Sequence, residues 1–480
     1  MCDRSGKKGV RTLAFKIKRP SGTEMLTMPV NKLILTVSLP LMISMLVQST
    51  YNMVDSMFVA KMSEAGLNAT SLAGPIQQIM ISVAVGTGTG VSSLLARTLG
   101  AGKKKEANLI ATTGLVLGVL SCLIFVLFGL FFARPFIKIF TSDPELIELG
   151  TSYLSICTVF SLGIYVSVIA ERLLQATGNT FLSMVAQTSG AVINCILDPI
   201  MIFGLLGCPA LGIRGAAIAT VIGQWGAGII ALILNFKLNT EVHFDWKALR
   251  FDAGILKGVY TVGVPVMLVQ ALTSVQTMII NKMFITISAT MVGFFGLFHK
   301  VQAFVLMPMN GLGMSLIPIV GQAYGARLGG RIRETVHKVL RVSIAIMLLC
   351  TVVFVVFPNW ILFMFSAKDE LLSIGMTGLR ILGISLSFLV TTNVIGQVFA
   401  AVGNGMVNLI NTLTRNILPL PVIYIFAQSS SINSIWWTIV AADTLALLFS
   451  VYMYRRLNRT RLAELVAEEE QRGAAAPAAT

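Results

Sequence analysis

Long apolar runs separated by short polar breaks recur twelve times along the chain. A run of about 20 such residues crosses the hydrocarbon of a bilayer as one helix. The pattern predicts helices over 33–60, 68–98, 107–133, 148–175, 181–206, 212–236, 256–287, 291–323, 333–357, 371–402, 406–427 and 433–454. Several of these exceed the hydrocarbon thickness, which predicts tilt, kinks or protruding ends. The longest polar connection after the second helix is 237–255, the natural seam of the chain, whose aromatics suit the membrane interface. The expected organisation is a basic cytoplasmic segment over 1–30 and a first lobe of helices one to six over 31–236. The loop 237–255 then leads to a second lobe of helices seven to twelve over 256–456. A cytoplasmic tail over 457–480 extends the last helix briefly and is otherwise expected to be disordered from its Ala, Pro and Glu content.

The halves repeat. Pro40 and Pro265 lie 225 residues apart, and the same offset relates Gly86 to Gly311 and Gly88 to Gly313. It also relates Gly100-Ala101 to Gly325-Ala326 and Gly178-Asn179 to Gly403-Asn404; with a slip of one residue, Asp55-Ser56-Met57-Phe58 aligns with Asn281-Lys282-Met283-Phe284. Agreement at one offset is the signature of duplication. Six helices per repeat keep the two copies in one orientation, related by an axis along the membrane normal. Prolines in mid-span kink their helices or let them bend, so Pro40 and Pro265 are the candidate hinges.

Composition agrees with a polytopic membrane protein: 480 residues, 55% hydrophobic, 12% charged, mean hydropathy +0.82. The net charge of +15 does not point to nucleic acid, because the cations gather in short loops. One side collects the N-terminal Arg and Lys residues, Lys103–Lys105, Lys237, Lys247, Arg250, Arg327, Arg331, Arg333 and the group Arg455–Arg461. The other side has only Lys61, Arg134, Lys138, Arg214 and Lys368. That asymmetry places both termini in the cytoplasm. The first thirty residues have no apolar core before a cleavage site, so the first helix is expected to serve as an uncleaved anchor. Six scattered cysteines without a CxxC pair or a His-rich tract support neither a disulfide framework nor a metal site, and no cofactor is expected. Gly86, Gly88 and Gly90 are not followed by Gly-Lys-Ser/Thr, and no ATPase motif occurs elsewhere. Transport energy then comes from an ion gradient.

Four acids lie well inside the spans: Asp55, Glu171, Asp198 and Asp443. Charge in hydrocarbon costs several kcal/mol, so such residues mark ion or substrate paths. Asp198 is the only charge between Thr180 and Ile213, and Asp55 the only one between Leu33 and Ala60. Asn194 precedes Asp198 by one helical turn and shares its face, while Pro199 frees the carbonyl of Cys195 beside the carboxylate. A carboxylate, an amide and a free carbonyl are the ligands a proton or small cation needs. Both aspartates fall in the outer half of odd-numbered helices, so they can share a pocket. Glu171 adjoins Arg172 at the inner end of helix four, where an interfacial ion pair is the competing role. Asp443 reads as isolated in helix twelve, with a structural hydrogen bond as its role. From Gly254 to Gly330 the second half has no Asp or Glu at all. Candidate cleft residues are Gln48, Met53 and Met57 in helix one, Met278 and Asn281 in helix seven, and His299 in helix eight; methionine suits an adaptable apolar surface and His299 a proton relay.

Met53-Val54-Asp55-Ser56-Met57-Phe58-Val59, Arg97-Thr98-Leu99-Gly100-Ala101-Gly102 and Leu174-Gln175-Ala176-Thr177-Gly178-Asn179 resemble the multidrug and toxic compound extrusion (MATE) family. So do Asn194 through Pro199, Gly212 through Thr220, and Gly321-Gln322-Ala323-Tyr324-Gly325-Ala326. Each is loose, but their order over about residues 30–455 is specific, and the likeness is strongest to the DinF-like branch with its MepA-like drug exporters. The resemblance implies an all-α polytopic membrane protein of twelve transmembrane helices, in two six-helix lobes around a V-shaped central cleft. It implies a monomer in the bacterial cytoplasmic membrane, in contact with its lipids, exchanging lipophilic cationic drugs or dyes for H+ or Na+. The first-lobe cation site of that branch maps onto Asp55, Asn194 and Asp198. Its helix-four position, an amide in some relatives, maps onto Glu171, which leaves H+ and Na+ both open. The NorM-like branch keeps acids in the second lobe, and helices seven, eight and ten lack them here. The competing class is a flippase or exporter of lipid-linked saccharides, which lines its cleft with Arg or Lys; the cleft helices here read as offering acids and few bases.

Overall fold

Nothing interrupts the helical hydrogen-bond ladder of the apolar runs for long, because lipid leaves backbone groups no other partners. The computed structural model describes residues 22–62, 64–247, 249, 252–364, 369–428 and 432–475. The expectations for 1–21, Lys368, Arg250 and 476–480 lie outside the described residues. The first half consists of α1 Val30–Met62, α2 Glu64–Gly100, α3 Lys104–Phe131, α4 Pro144–Val159 bent by 45° into Leu162–Ala176, α5 Thr180–Phe203 and α6 Ile213–Leu238. The second consists of α7 Ala253–Ile285, α8 Ala289–Met314 continuing as Leu316–Gly325, and α9 Gly329–Val356. It ends with α10 Asp369–Ile384, bent by 40° into Leu386–Ala401, α11 Met406–Asn416 followed by Leu420–Gln428, and α12 Ile432–Arg459. Each run predicted from hydropathy falls on one of these helices, and no strand occurs among the described residues.

Local chemistry sets the ends. The Asp143 carboxylate accepts from the Glu145 N–H at 2.9 Å with Pro144 in the first helical position, and Ser288 accepts from Thr290 N–H at 3.1 Å to start α8. At the duplicated turns the backbones agree bond for bond. Asn179 N–H donates to Leu174 O at 2.8 Å, and 225 residues later Asn404 N–H donates to Phe399 O at 2.8 Å. Gly178 and Gly403 stand between them at φ 85° and 92°, a conformation that only glycine adopts without steric cost. The turn after α2 also recurs after α8, where Arg327 (φ 59°) takes the left-handed place that Gly102 (φ 74°) holds in the first half.

The tail departs from expectation. Arg461–Ala475 continues as a 15-residue helix, because its acids have partners on the start of α9. Gly330 N–H donates to Glu469 at 2.9 Å, and Arg327 pairs with Glu468 at 2.8 Å.

Each half has its own apolar core. Trp436 is fully buried between Phe284 and Phe294, with ring centroids 5.7 and 5.2 Å away, and anchors the second half. Leu154, Ile137 and Cys157 anchor one end of the first. The halves meet through α2 against α7 and α1 against α8, contacts that are equivalent under the duplication. The closest approach is made by glycine. A Cβ at Gly100 would collide with the carbonyl of Gln322, and one at Gly325 with the carbonyl of Arg97, the same contact seen from the other half. This seam lies at the membrane side where α1 begins. At the opposite end cleft-lining residues of α1 and α7 are uncovered, Asn52 and Thr273 both being exposed. The halves therefore enclose a cleft sealed on the side of the termini.

Candidate functional site

On α1, Gln48, Tyr51, Asn52 and Asp55 follow the helical spacing of one face, and all four line the cleft. On α5 the same spacing places Gln187, Ala191 and Asn194 on the cleft and carries Asp198 one turn deeper. Gly190 and Gly223 let α5 and α6 approach closely, so that Thr220 of α6 reaches the same point. Gln187 donates to Gln48 Oε1 at 3.2 Å and ties α5 to α1 across the pocket.

The aspartates come together. Asp55 of α1 and Asp198 of α5 are neighbours close enough to interact by charge, and two such acceptors share a hydrogen bond only if one of them carries a proton. Asp198 is fully buried; its Oδ1 accepts from Asn194 Nδ2 at 3.3 Å, and the same amide lies 3.5 Å from Thr220 Oγ1. Asp198 Oδ2 and Asn194 Oδ1 are buried with no donor among the described residues. Oxygens from two helices thus converge with no ion-pairing cation among the described residues. Tyr51 borders the same pair, and Gln77 donates to the Tyr153 hydroxyl at 3.4 Å on the cleft wall beyond it; composition alone does not single these residues out.

The cleft itself encloses about 920 Å³ and takes lining residues from both halves. Sites for drug-sized molecules span roughly 300–1,000 Å³. Gln48, Asp55, Glu171 and Asn194 are among its walls. Glu171 is half-buried there and makes no ion pair with Arg172 among the described residues; Arg172 instead donates to Gln175 at 3.0 Å. Met53, Met57, Met278, Asn281 and His299 are not among the lining residues. Met53, Met57 and Met278 are exposed on faces of α1 and α7 other than the ones that line the cleft, and Asn281 lies one turn beyond Met278 on α7. His299 turns into the second half instead, edge-on to Phe295 with ring centroids 4.3 Å apart.

Two expectations need correction. Asp443 is not isolated: Arg415 Nε lies 2.7 Å from its Oδ1, an ion pair between α11 and α12. The cleft is also not poor in bases, since Arg172 and Arg415 line it alongside Asp55 and Glu171. The pair escapes a reading of single helices because its members sit on different ones. Pro40 and Pro265 both lie within their helices, Pro265 against Gly405 of the facing turn.

The MatE family model matches residues 40–200 and again 265–425, which repeats the 225-residue offset. A multidrug export protein, MepA, of Staphylococcus haemolyticus is 24% identical over 432 residues, 88% of this chain and 93% of its own. An FAD transporter of Shewanella oneidensis is 25% identical over 352 residues, 72% of this chain and 77% of its own. Among solved structures, a multidrug resistance MATE family transporter in an outward-facing conformation superposes with a TM-score of 0.85 at 25% identity, covering 93% of this chain and 99% of that one.

Proposed function

The chain belongs to the MatE family, whose members are transporters and not enzymes, and on that footing we propose a cation-coupled efflux antiporter that exports amphipathic, mainly cationic compounds by alternating access. The coupling ion in this reading is H+, carried by Asp55 and Asp198. One observation carries it: the two carboxyl groups meet in a pocket where Asp198 Oδ2 and Asn194 Oδ1 find no donor. A proton bridges such a contact without the four to six ordered oxygens that a sodium ion takes from its surroundings. Neutralising the pair lowers the cost of burying it and loosens its hold on a cation. Protons entering from outside then release cargo, the lobes rock, and the protons leave to the cytoplasm. The distribution of Lys and Arg supports cytoplasmic termini in a bacterial cytoplasmic membrane, with the cleft open to the outside.

Purified protein in vesicles, loaded with a lipophilic cation and given a pH gradient or a sodium gradient in turn, tests the reading. The pH gradient alone is expected to drive transport. Asp55→Asn and Asp198→Asn keep the shape and lose the titratable group, and each is expected to slow it by at least about tenfold, a loss of roughly 1.4 kcal/mol in coupling. Transport driven by sodium at equal pH, with no response to a pH gradient, overturns proton coupling.

A further inference from the structure

The second half lacks the acids of the aspartate pocket. At an offset of 222 residues Asn194 and Pro199 recur as Asn416 and Pro421, but Leu420 stands where Asp198 does. Asn281 matches Asp55 at the one-residue slip. Both carboxylates are gone, and the charge beside Asn416 is Arg415. Its Nε lies 2.7 Å from Asp443 Oδ1, with the arginine side chain 29% exposed in the cleft and the aspartate 2% exposed behind it. Asp443 is the only acid paired with it among the described residues.

A buried acid behind a partly exposed guanidinium makes a fixed dipole with its positive end in the cleft. Guanidinium carries five N–H donors in a planar fork that fits two oxygens of a carboxylate, sulfonate or phosphate. Nε lies against Asp443 as an ion pair without hydrogen-bond alignment, which leaves the guanidinium N–H donors to serve a cleft ligand. Asn408, Thr412 and Asn416 follow the helical spacing on the same cleft-facing side of α11 and add polar partners. Asn416 is already oriented, its Nδ2 donating to Thr273 Oγ1 of α7 at 3.1 Å.

We infer that the second half of the cleft is an anion-binding subsite, in which Arg415, held by Asp443, receives the oxyanion of an amphipathic substrate. The inference rests on the efflux reading and narrows its cargo. With Asp55 on the first half and Arg415 on the second, the cleft suits molecules that carry an anionic group as well as a cationic or apolar aromatic body. Asp443 acts through Arg415 as a positioning residue, and its carboxylate also weakens the pull of the guanidinium on a cleft anion.

The test uses two dyes on one scaffold, rhodamine B with its free carboxylate and the corresponding ester, bound to full-length protein in phospholipid-free detergent so that no lipid headgroup competes. The quantity read is the ratio of the two affinities. Arg415→Gln with Asp443→Asn removes the cation without leaving a buried acid unpaired, and is expected to lower the preference for the carboxylate about tenfold, the scale of one charge-assisted bidentate contact. Asp443→Asn alone leaves the guanidinium uncompensated and is expected to raise that preference. Opposite shifts do not arise from general loss of packing, and either variant alone decides if the other does not fold. A ratio that stays constant, or moves the same way in both, overturns the subsite while leaving efflux of the ester dye standing. Wild-type protein that binds neither dye overturns the subsite and the efflux reading together.

Discussion

Asp198 has no acidic counterpart in the second half: the 225-residue offset puts Ile423 there, and aligning Asn194 with Asn416 puts Leu420. Leucine there is the choice for stability: a buried carboxyl oxygen without a donor costs about 1–3 kcal/mol, whereas an apolar side chain of similar volume costs nothing. The aspartate persists in one half only, as the proposed coupling role requires. Asp198→Leu is accordingly expected to raise the thermal unfolding temperature in detergent by a few degrees and to abolish gradient-driven export. A fall in unfolding temperature would make Asp198 a structural residue that packing requires, against the coupling role. Neighbouring Asn194 gives the complementary case: its Nδ2 is placed by Asp198 and Thr220, so Asn194→Leu removes a donor from the acid and should slow export without the same gain in stability.

At the scale of helices, the seam decides which face of the molecule is shut. Gly100 and Gly325 admit the carbonyls of Gln322 and Arg97, and backbone cannot retreat as a side-chain tip can. Leucine at both positions should hold the seam open and shift the population toward the state that faces the termini. Spin labels at the exposed Met53 and Met278, on the halves of α1 and α7 away from the seam, report this directly: their separation is expected to shorten in Gly100→Leu/Gly325→Leu. An unchanged separation with normal export means that the seam has slack. Hydropathy placed all twelve helices within a few residues and the 225-residue offset placed their pairing, because both depend on long-range periodicity. The breaks inside α4, α8 and α10 were not legible. They fall at the buried Ser161, Ser315 and Ser385, and at the last two the hydroxyl bonds back to a carbonyl three residues earlier, at 2.6 and 3.0 Å. A serine in an apolar run reads as a small polar residue until its hydroxyl has bent the helix. In the site, Asp55, Asn194 and Asp198 stood out because each is rare in its span. Arg415 and Asp443 did not read as a pair because only tertiary packing joins them.

For the whole transporter, the number of charges moved per cycle follows from the two pockets together. In the proposed cycle one proton bridges Asp55 and Asp198 and stays, and one further proton exchanges with cargo. Export of one monovalent cation against one entering proton moves no net charge, and a membrane potential then does no work on it. A zwitterion bound between Asp55 and Arg415 leaves without charge, so the entering proton carries one positive charge inward. An interior-negative potential would then contribute about 2.3 kcal/mol per 100 mV to its export. Vesicles clamped at several potentials with no pH gradient separate these cases. The ester dye is expected to give a flat response, and the free-carboxylate dye, as its zwitterion, a rate that climbs as the interior becomes more negative. If export of the cationic ester itself climbs with potential, both protons of the pair are exchanged in each cycle and the bridging proton is not retained. If neither dye responds, the entering proton is matched by another leaving charge, and the two-pocket account of the cycle fails.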